Sequence, residues 1–194
     1  EKETKNNQTN ITIEYLDNNY NLQEYATIDI SKSKRFDLEN YQFLQEFQVL
    51  EDSCKYPVSM LKEFIVNSKR GRTLANNKDL IAEKGTRFLH TTDVKYLYIS
   101  NKNKKYVKEN LQYFERSYVQ VENILIGRVG RKCIGKIAIV TEEFKNSVIS
   151  DCIICLDTKN IDPYYLTIFL ATKYGQIQLK GISRGSGSKY ITVK

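Results

Sequence analysis

Residues 117–140 read SYVQVENILIGRVGRKCIGKIAIV, two runs rich in β-branched residues on either side of a basic segment. β-Branched residues favour strands, and three glycines interrupt the runs where a strand would otherwise continue. The pattern predicts two strands joined by a tight, glycine-bearing turn. Arg128, Arg131 and Lys132 lie in that turn with almost no acid beside them. Such a turn suits a phosphate or the edge of a base.

The composition of the whole chain favours an acidic partner. Its 194 residues carry 30 Lys and Arg against 23 Asp and Glu, a formal net charge of +7. This balance favours nucleic acid over a neutral partner, although a merely basic soluble protein explains the charge alone equally well. With 41% hydrophobic residues the chain can bury a single core, so one domain is expected.

The sequence shows neither a membrane span nor a signal peptide. No apolar run reaches the length needed to cross a bilayer, and the N-terminus lacks a charged segment followed by an apolar one. An intracellular, cytoplasmic location without a membrane partner is therefore expected. The single methionine is Met60, so we expect the chain to be a piece of a longer protein.

Residue types that bind metals or carry catalysis are sparse and scattered. Beside Cys152 and Cys155, a zinc site could draw only on Cys54, Cys133 and His90, so no metal site is predicted. The C-x-x-C cysteines fit a buried strand instead. With one histidine and no organised pair of carboxylates, acid-base catalysis has few candidates.

Two motifs invite an enzymatic interpretation that their context argues against. Asp162-Pro163-Tyr164-Tyr165 lacks the second proline of the adenine methyltransferase motif and is predicted to begin a helix. Glu143-Phe144-Lys145 has the spacing of a nuclease motif but lies in a predicted turn without a partner aspartate. We therefore expect the chain not to be an enzyme.

Periodicity along the rest of the chain predicts short strands and two helices. Residues 1–10 are predicted to be a frayed end, and residues 11–16, 25–30 and 85–93 to be strands, while 58–66 fit either a helix or a strand. A helix of about four turns should run from near Arg35 to before Pro57. One long apolar strand is predicted over 147–156. Asp162 should cap a second helix that reaches about Leu179, with an apolar face made of Leu166, Phe169, Leu170, Tyr174 and Ile177.

Three further segments concentrate cations around glycine or polar residues. They lie at 67–78, 101–108 and 183–194. A solvated surface loop explains the first two as well as a phosphate contact does, and a Gly-Ser segment such as the third is often a linker. The recurrence of basic segments favours DNA for the first, and the position of the third between a predicted helix and a strand favours an ordered functional loop.

The motif series as a whole resembles a known family. The succession ENILIGRVG, GKIAIV, ISDCIICL, IDPYYLTIFLATKYGQIQL and SRGSGSKYIT is similar to the second half of a target recognition domain from the specificity subunit of type I restriction-modification systems. The likeness begins near Arg35 and is strongest after Leu111. It implies an α/β (α+β) fold with a mixed, largely antiparallel twisted sheet, packing helices and basic loops. Residues 1–30 would be a linker or the end of a preceding domain, and 31–194 the recognition domain.

The resemblance also implies a function. The chain would bind double-stranded DNA sequence-specifically and direct adenine methylation, and in some settings cleavage, by other domains. Those would be a DNA methyltransferase subunit or a fused methyltransferase domain, as in a single-chain adenine methylase, with a restriction subunit as a further candidate partner. S-adenosylmethionine would be bound there, and this domain would hold no cofactor. Specificity subunits usually carry two such domains separated by long helices, and this chain shows one.

Site residues follow from the basic segments and from the resemblance. Arg128, Arg131 and Arg184 are the predicted base contacts, because a guanidinium is a planar bidentate donor that suits guanine. The resemblance places Arg87, His90 and Thr91 near the DNA. The complete predicted DNA-binding set is Lys69, Arg70, Arg72, Arg87, Thr91, Lys102, Lys104, Lys105, Arg128, Arg131, Lys132, Arg184, Ser186, Ser188, Lys189 and Tyr190.

Two alternatives stay open at this point. The chain could be a fragment of a DNA methyltransferase or restriction enzyme that contributes part of the active site. It could also be a basic protein-interaction module, whose binding would be insensitive to salt and to DNA sequence.

Overall fold

The computed structural model describes residues 10–29, 38–130, 132–185 and 188–192. Within these ranges ten strands and three α-helices are joined by loops and short 3-10 turns. The elements are β1 (Asn10–Leu16), β2 (Leu22–Asp29), α1 (Leu38–Asp52), β3 (Ile65–Arg70), β4 (Ile81–Ala82), β5 (Thr86–Leu89), β6 (Lys105–Val107), β7 (Ile124–Gly127), β8 (Ile137–Ile139), β9 (Val148–Ile149), β10 (Ile153–Thr158), α2 (Pro163–Ala171) and α3 (Lys173–Gly181). In the described ranges no helix is long and apolar enough to span a membrane.

Two four-stranded sheets form the frame. The central sheet has the order β3-β10-β7-β8 and is antiparallel throughout. The second sheet has the order β4-β6-β5-β9, and β5 and β9 run parallel. The predicted fold class, α+β with mixed but largely antiparallel sheets, is confirmed. β1 and β2 form a separate two-stranded hairpin.

The strand pair predicted from residues 117–140 is the middle of the central sheet. Ile124 pairs with Ile139 and Ile126 with Ile137, and both strands are fully buried. The strands are shorter than the β-branched runs, so the connection between them is not tight and covers residues 128–136. This segment is called the glycine turn below.

Apolar layers cover both faces of the central sheet, as the period of two in a buried strand requires. Ile124 and Ile126 pack towards α2 and α3, against Leu166 and Leu170. Leu125 packs the other way, with side chains of the second sheet. Fully burying one such side chain stabilises the fold by about 1.5–3 kcal/mol.

The single strand predicted over 147–156 is wrong. The structure has two strands there, β9 in the second sheet and β10 in the central sheet. Ser150, Asp151 and Cys152 separate them in a turn that closes with a hydrogen bond from the Ile153 amide to the Ser150 carbonyl, 3.1 Å. The three-residue connection therefore joins the two sheets.

The continuous helix predicted from Asp162 to Leu179 is also interrupted. Asp162 caps α2 as predicted, accepting a 2.8 Å hydrogen bond from the Tyr165 amide. Thr172 is extended (ψ 169°), so α3 starts in a new direction. A side chain at Gly175 would collide with the Leu170 backbone, and only glycine permits this close return of α3 onto α2.

The predicted apolar face of that helix is correct in part. Leu166 and Leu170 are buried and Ile177 is half-buried. Phe169 and Tyr174 are 36% and 43% exposed. Phe169 precedes the break at Thr172 and stacks against exposed Tyr165, while Tyr174 follows the break in α3.

The remaining elements largely follow the sequence pattern. α1 has about four turns and packs against α3. Its predicted start near Arg35 lies in residues 30–37, which are outside the described ranges, as are residues 1–9. Lys69 and Arg70 belong to β3 and Lys105 to β6, so these cations lie in strands and not in the predicted loops.

Candidate nucleic-acid interface

The two sheets meet at residues 150–152, and the ends of three strands gather around this connection. The Ser150 amide donates to the Leu89 carbonyl at the end of β5, 2.9 Å. The Arg72 amide, after β3, donates to the Ile149 carbonyl (3.1 Å), and the Arg128 amide, after β7, donates to the Cys152 carbonyl (2.9 Å). Residues 70–72, 89–91, 128–136 and 150–152 are called the convergent edge below.

Arg70 and Arg72 reach this edge through the glycine between them. A side chain at Gly71 would collide with the Ile149 carbonyl, so glycine is required for the approach of β3 to β9. Both arginines are exposed. The Arg72 guanidinium lies 5.5 Å from the centre of the Tyr113 ring, a cation-π contact that limits its mobility.

Arg128 braces the glycine turn against the C-terminal segment. Its Nε donates to the Ile191 carbonyl at 2.8 Å, and Nη1 donates to the Asp151 carbonyl at 3.2 Å. The guanidinium also lies 6.0 Å from the Tyr190 ring centre. A bidentate contact of Arg128 with guanine, as predicted, would have to compete with these carbonyl oxygens.

The C-terminal segment folds back onto the same turn. Arg184 and Tyr190 exchange two backbone hydrogen bonds of 2.8 Å, and the Gly130 amide donates to the Lys189 carbonyl at 3.0 Å. This segment brings its polar and charged residues next to Arg128 and Gly130 of the glycine turn. They are Arg184, Ser188, Lys189 and Tyr190. Arg131 and Ser186, predicted in the same two segments, lie outside the described residues.

The second sheet contributes His90 and Lys105 to this side of the molecule. Lys105 pairs with Phe88, close to the end of β5, and His90 follows that strand. Burial, aided by the Lys105 charge, lowers the pKa of His90, while Asp93 and Asp151 oppose the shift. His90 is therefore neutral at pH 7 and pairs with the Thr91 hydroxyl, 3.3 Å from Nδ1.

Arg87, Thr91 and Lys69, all predicted to contact DNA, are engaged inside the fold. The Arg87 guanidinium lies 3.5 Å from buried Asp93 and donates to the Phe88 carbonyl at 2.6 Å. Thr91 is 4% exposed. Lys69 Nζ donates to the Tyr118 carbonyl at 2.7 Å. Their placement assigns them structural contacts because the polar groups already have protein partners.

The exposed lysines predicted as phosphate contacts project from the loops. Lys102 and Lys104 precede β6, and Lys132 lies in the glycine turn, all exposed. Lys105 is exposed at the start of β6. Their exposure agrees with a phosphate contact and equally with a solvated surface.

Charge differs between the two ends of β8. Half-buried Lys136 precedes this strand at the convergent edge, while exposed Glu142 and Glu143 follow it at the other end. Asp151 is the acidic residue within the four ranges of the convergent edge. The electrostatic potential is therefore expected to be positive at one end of the sheet and weaker or negative at the other.

The described residues offer no metal cluster, and the two thiols of the C-x-x-C pair are not activated. No group of three or more His, Cys, Asp and Glu side chains in these ranges could hold a metal ion. Burial raises the pKa of Cys155 to about 12. Burial and then the nearby Asp151 carboxylate raise the pKa of Cys152. Both thiols are protonated at neutral pH and are poor nucleophiles.

The sequence analysis missed an aromatic turn next to the convergent edge. Tyr96, Leu97 and Tyr98 are 55%, 47% and 59% exposed. The Leu97 amide donates to the Ile137 carbonyl on the outer side of β8, 2.7 Å. The sequence alone does not show that these three residues are exposed, because their exposure depends on the bridge between Val94 and Ile99 beneath them.

Comparison with known proteins gives low-identity structural likenesses. No family model matches the chain, and no curated protein matches it. It is similar to the S subunit of a type I restriction-modification system from M. genitalium, with 13% identity and a TM-score of 0.44, over 70% of this chain and 30% of that one.

A second solved structure concerns complex assembly and conformational transition of the type I R-M system. There the identity is 12% and the TM-score 0.45, over 72% of this chain and 36% of that one. The chain spans about a third of the length of these two proteins. At this identity and overlap, neither likeness assigns a role to any residue.

Proposed function

We propose that the chain is a target recognition domain that binds double-stranded DNA and reads a short sequence. One observation carries the proposal: cations from segments far apart in the sequence converge at one end of two rigid sheets. They are Arg70 at the end of β3, Arg72 just after it, Arg128 and Lys132 in the glycine turn, and Arg184 in the C-terminal hairpin.

The chemistry of this edge matches the two tasks of a DNA reader. Exposed lysines neutralise phosphates without regard to sequence, and binding through them weakens as salt rises. Arginines held by backbone carbonyls or aromatic rings present a pre-oriented guanidinium to base edges. Arg72 has this kind of support, while Arg128 would have to exchange a carbonyl partner for a base.

The catalytic steps are proposed to belong to other domains. Adenine methylation, with S-adenosylmethionine as the methyl donor, would be carried out by a methyltransferase subunit or a fused domain, and cleavage by a restriction subunit. The assignment of methylation and cleavage to other domains is supported by the motif series at 122–191, which resembles recognition domains of type I systems. A cytoplasmic location goes with it, since that is where the DNA and the partners would be.

The proposal is tested by binding the chain to a randomised duplex library at two salt concentrations and sequencing the retained DNA. An enriched motif of a few base pairs is the expected result. Sequence-blind retention that salt removes would show that the chain alone binds electrostatically and does not read bases. No retention at low salt would overturn the proposal.

Protein binding is a second candidate function, favoured by the exposed surface of α2. Tyr164, Tyr165 and Ile168 are 47%, 61% and 56% exposed on the side away from the central sheet. Apolar clusters of this kind commonly mark protein contacts. If protein binding were the only function, any binding of the basic chain to DNA would show no sequence preference.

A further inference from the structure

The turn formed by Lys95, Tyr96, Leu97 and Tyr98 carries an apolar tip, defined here as residues 96–98. About half of each side chain is exposed. A soluble domain gains nothing in stability from two tyrosines and a leucine placed side by side in water. The core therefore does not explain this tip.

The base of the turn is rigid. Val94 and Ile99 form a β-bridge and are both buried, and the Lys95 amide donates to the Tyr98 carbonyl at 3.0 Å. Below the bridge, the Ser100 amide donates to the Asp93 carbonyl at 2.8 Å, and Asp93 is paired with Arg87. The tip is thus presented in a fixed position.

Leu97 has a backbone conformation that leucine rarely adopts. Its φ is 70°, in the left-handed region, where a Cβ crowds the following carbonyl oxygen. A turn with positive φ at this position favours glycine or asparagine. An exposed leucine in a strained conformation indicates a use for its side chain outside the fold.

The surroundings of the tip identify the partner by charge. The Leu97 amide is bound to the Ile137 carbonyl, one residue after Lys136 of the convergent edge. Half-buried Lys95 belongs to the turn itself, whereas Asn101, further along the chain, is hydrogen-bonded to exposed Glu143 at the other end of β8. An apolar tip with Lys95 and Lys136 on its side of the sheet suits a polyanion with apolar ring faces, and duplex DNA has both.

On this basis, and resting on the proposed function, we propose that residues 96–98 form a wedge that packs against the bases of the bound duplex and partly unstacks one base step. Apolar side chains are used in this way by proteins that kink DNA. The cations of the convergent edge would hold the phosphates on either side of that step. The wedge would make the affinity depend on how easily the sequence at that step is deformed.

The test compares Leu97→Gly and the double variant Tyr96→Ala/Tyr98→Ala with the unmodified chain on the duplex selected from the library. Leu97→Gly relieves the strained φ, so the melting temperature should not fall and lost binding cannot be attributed to unfolding. Each variant is expected to bind about tenfold more weakly, the loss of roughly one stacking contact. Tyr56→Ala, at a side chain 80% exposed in the segment before β3, is the control and should bind normally.

Unstacking is measured with 2-aminopurine placed at each adenine of the selected duplex in turn. The unmodified chain should raise the fluorescence at one position, and both wedge variants should abolish the rise. Normal affinity in both variants would overturn the wedge while leaving the proposed function intact. The wedge would also be overturned if the two variants bound more weakly but the complex of the unmodified chain showed no change in 2-aminopurine fluorescence. If the unmodified chain fails to bind any duplex, the proposed function fails and the wedge fails with it.

Discussion

The two ends of the central sheet use the same strands for different purposes. At the convergent edge the strands end in Arg70 and Arg128, and the side chains project towards solvent or hold loops. At the other end, Asn123 Nδ2 donates to Asp157 Oδ1 at 2.6 Å, and Asn67 donates to the second Asp157 oxygen at 3.3 Å. Short amides and a carboxylate satisfy one another there.

If the proposed function is correct, this difference separates the residues that stabilise the sheet from those that bind DNA. A closed network of short side chains leaves little hydrogen-bonding capacity for a ligand. Long cations that are only partly engaged leave charge for a phosphate or a base. Near the convergent edge the same rule separates Arg87, which is paired with buried Asp93, from exposed Arg70.

The largest effect is expected from Arg87→Ala, which tests whether a cation near the convergent edge can be purely structural. Asp93 would be left buried without its partner, which lowers the free energy of unfolding by about 3–5 kcal/mol. Denaturant unfolding measures the loss. The fraction that remains folded should select the same DNA motif, and a changed motif would mean that Arg87 also reads the sequence.

The next largest effect is expected from the double charge reversal Arg70→Glu/Arg72→Glu. It tests whether the convergent edge contacts the phosphates or bases of DNA. Binding at low salt should fall by about 100-fold, and the slope of affinity against salt should shrink by about 2 on logarithmic axes. Fluorescence anisotropy of labelled duplex measures both. Lys159→Glu, at an exposed residue just beyond the other end of β10, is the matched control and should change binding little.

Arg128→Ala and Lys104→Ala compare a predicted base contact with a predicted phosphate contact. Arg128→Ala should weaken binding to the selected motif by about 1–3 kcal/mol and relax the preference at one position, because a base contact is lost. Lys104→Ala should weaken binding to every sequence alike. Repeating the library selection with each variant measures the preference. Uniform weakening by both would reduce Arg128 to a brace for the C-terminal hairpin.

The smallest effect is expected from Asn123→Ala at the other end of the sheet. It removes one partner of Asp157 and one of Cys155, and unfolding should become easier by about 1 kcal/mol. Thermal unfolding checks the stability, and the affinity for DNA of the folded protein should stay the same. A loss of affinity that exceeds the loss of folded protein would contradict the separation between the two ends.

The sequence predicts those parts of the fold that depend on local preference. β7, β8 and the cap at Asp162 follow from β-branched runs and from an Asp-Pro pair. The breaks at Ser150–Cys152 and Thr172 do not, because VISDCIICL is apolar enough to continue as one strand and ATKYG is compatible with a helix. Each break is decided by what the two halves pack against.

The candidate site, too, depends on tertiary contacts that local sequence preference does not show. Basic segments are visible in the sequence, and the structure gathers several of them at one edge. Which cations are engaged internally is not visible, since Lys69 is held by the carbonyl of Tyr118, 49 residues away. The tip at 96–98 was overlooked because its exposure depends on the buried bridge beneath it.

The three-residue connection 150–152 also limits how far apart the two sheets can lie. A second link lies beside it, since residues 71–80 join β3 of the central sheet to β4 of the second sheet and the Arg72 amide donates to the Ile149 carbonyl at 3.1 Å. One additional residue at 150–152 would lengthen this connection by up to about 3.6 Å, close to the rise of about 3.4 Å per base pair along the axis of a DNA duplex. If the proposed function is correct, such an insertion is expected to shift the basic residues of one sheet relative to those of the other, and so to change the spacing of the sequence that the domain binds.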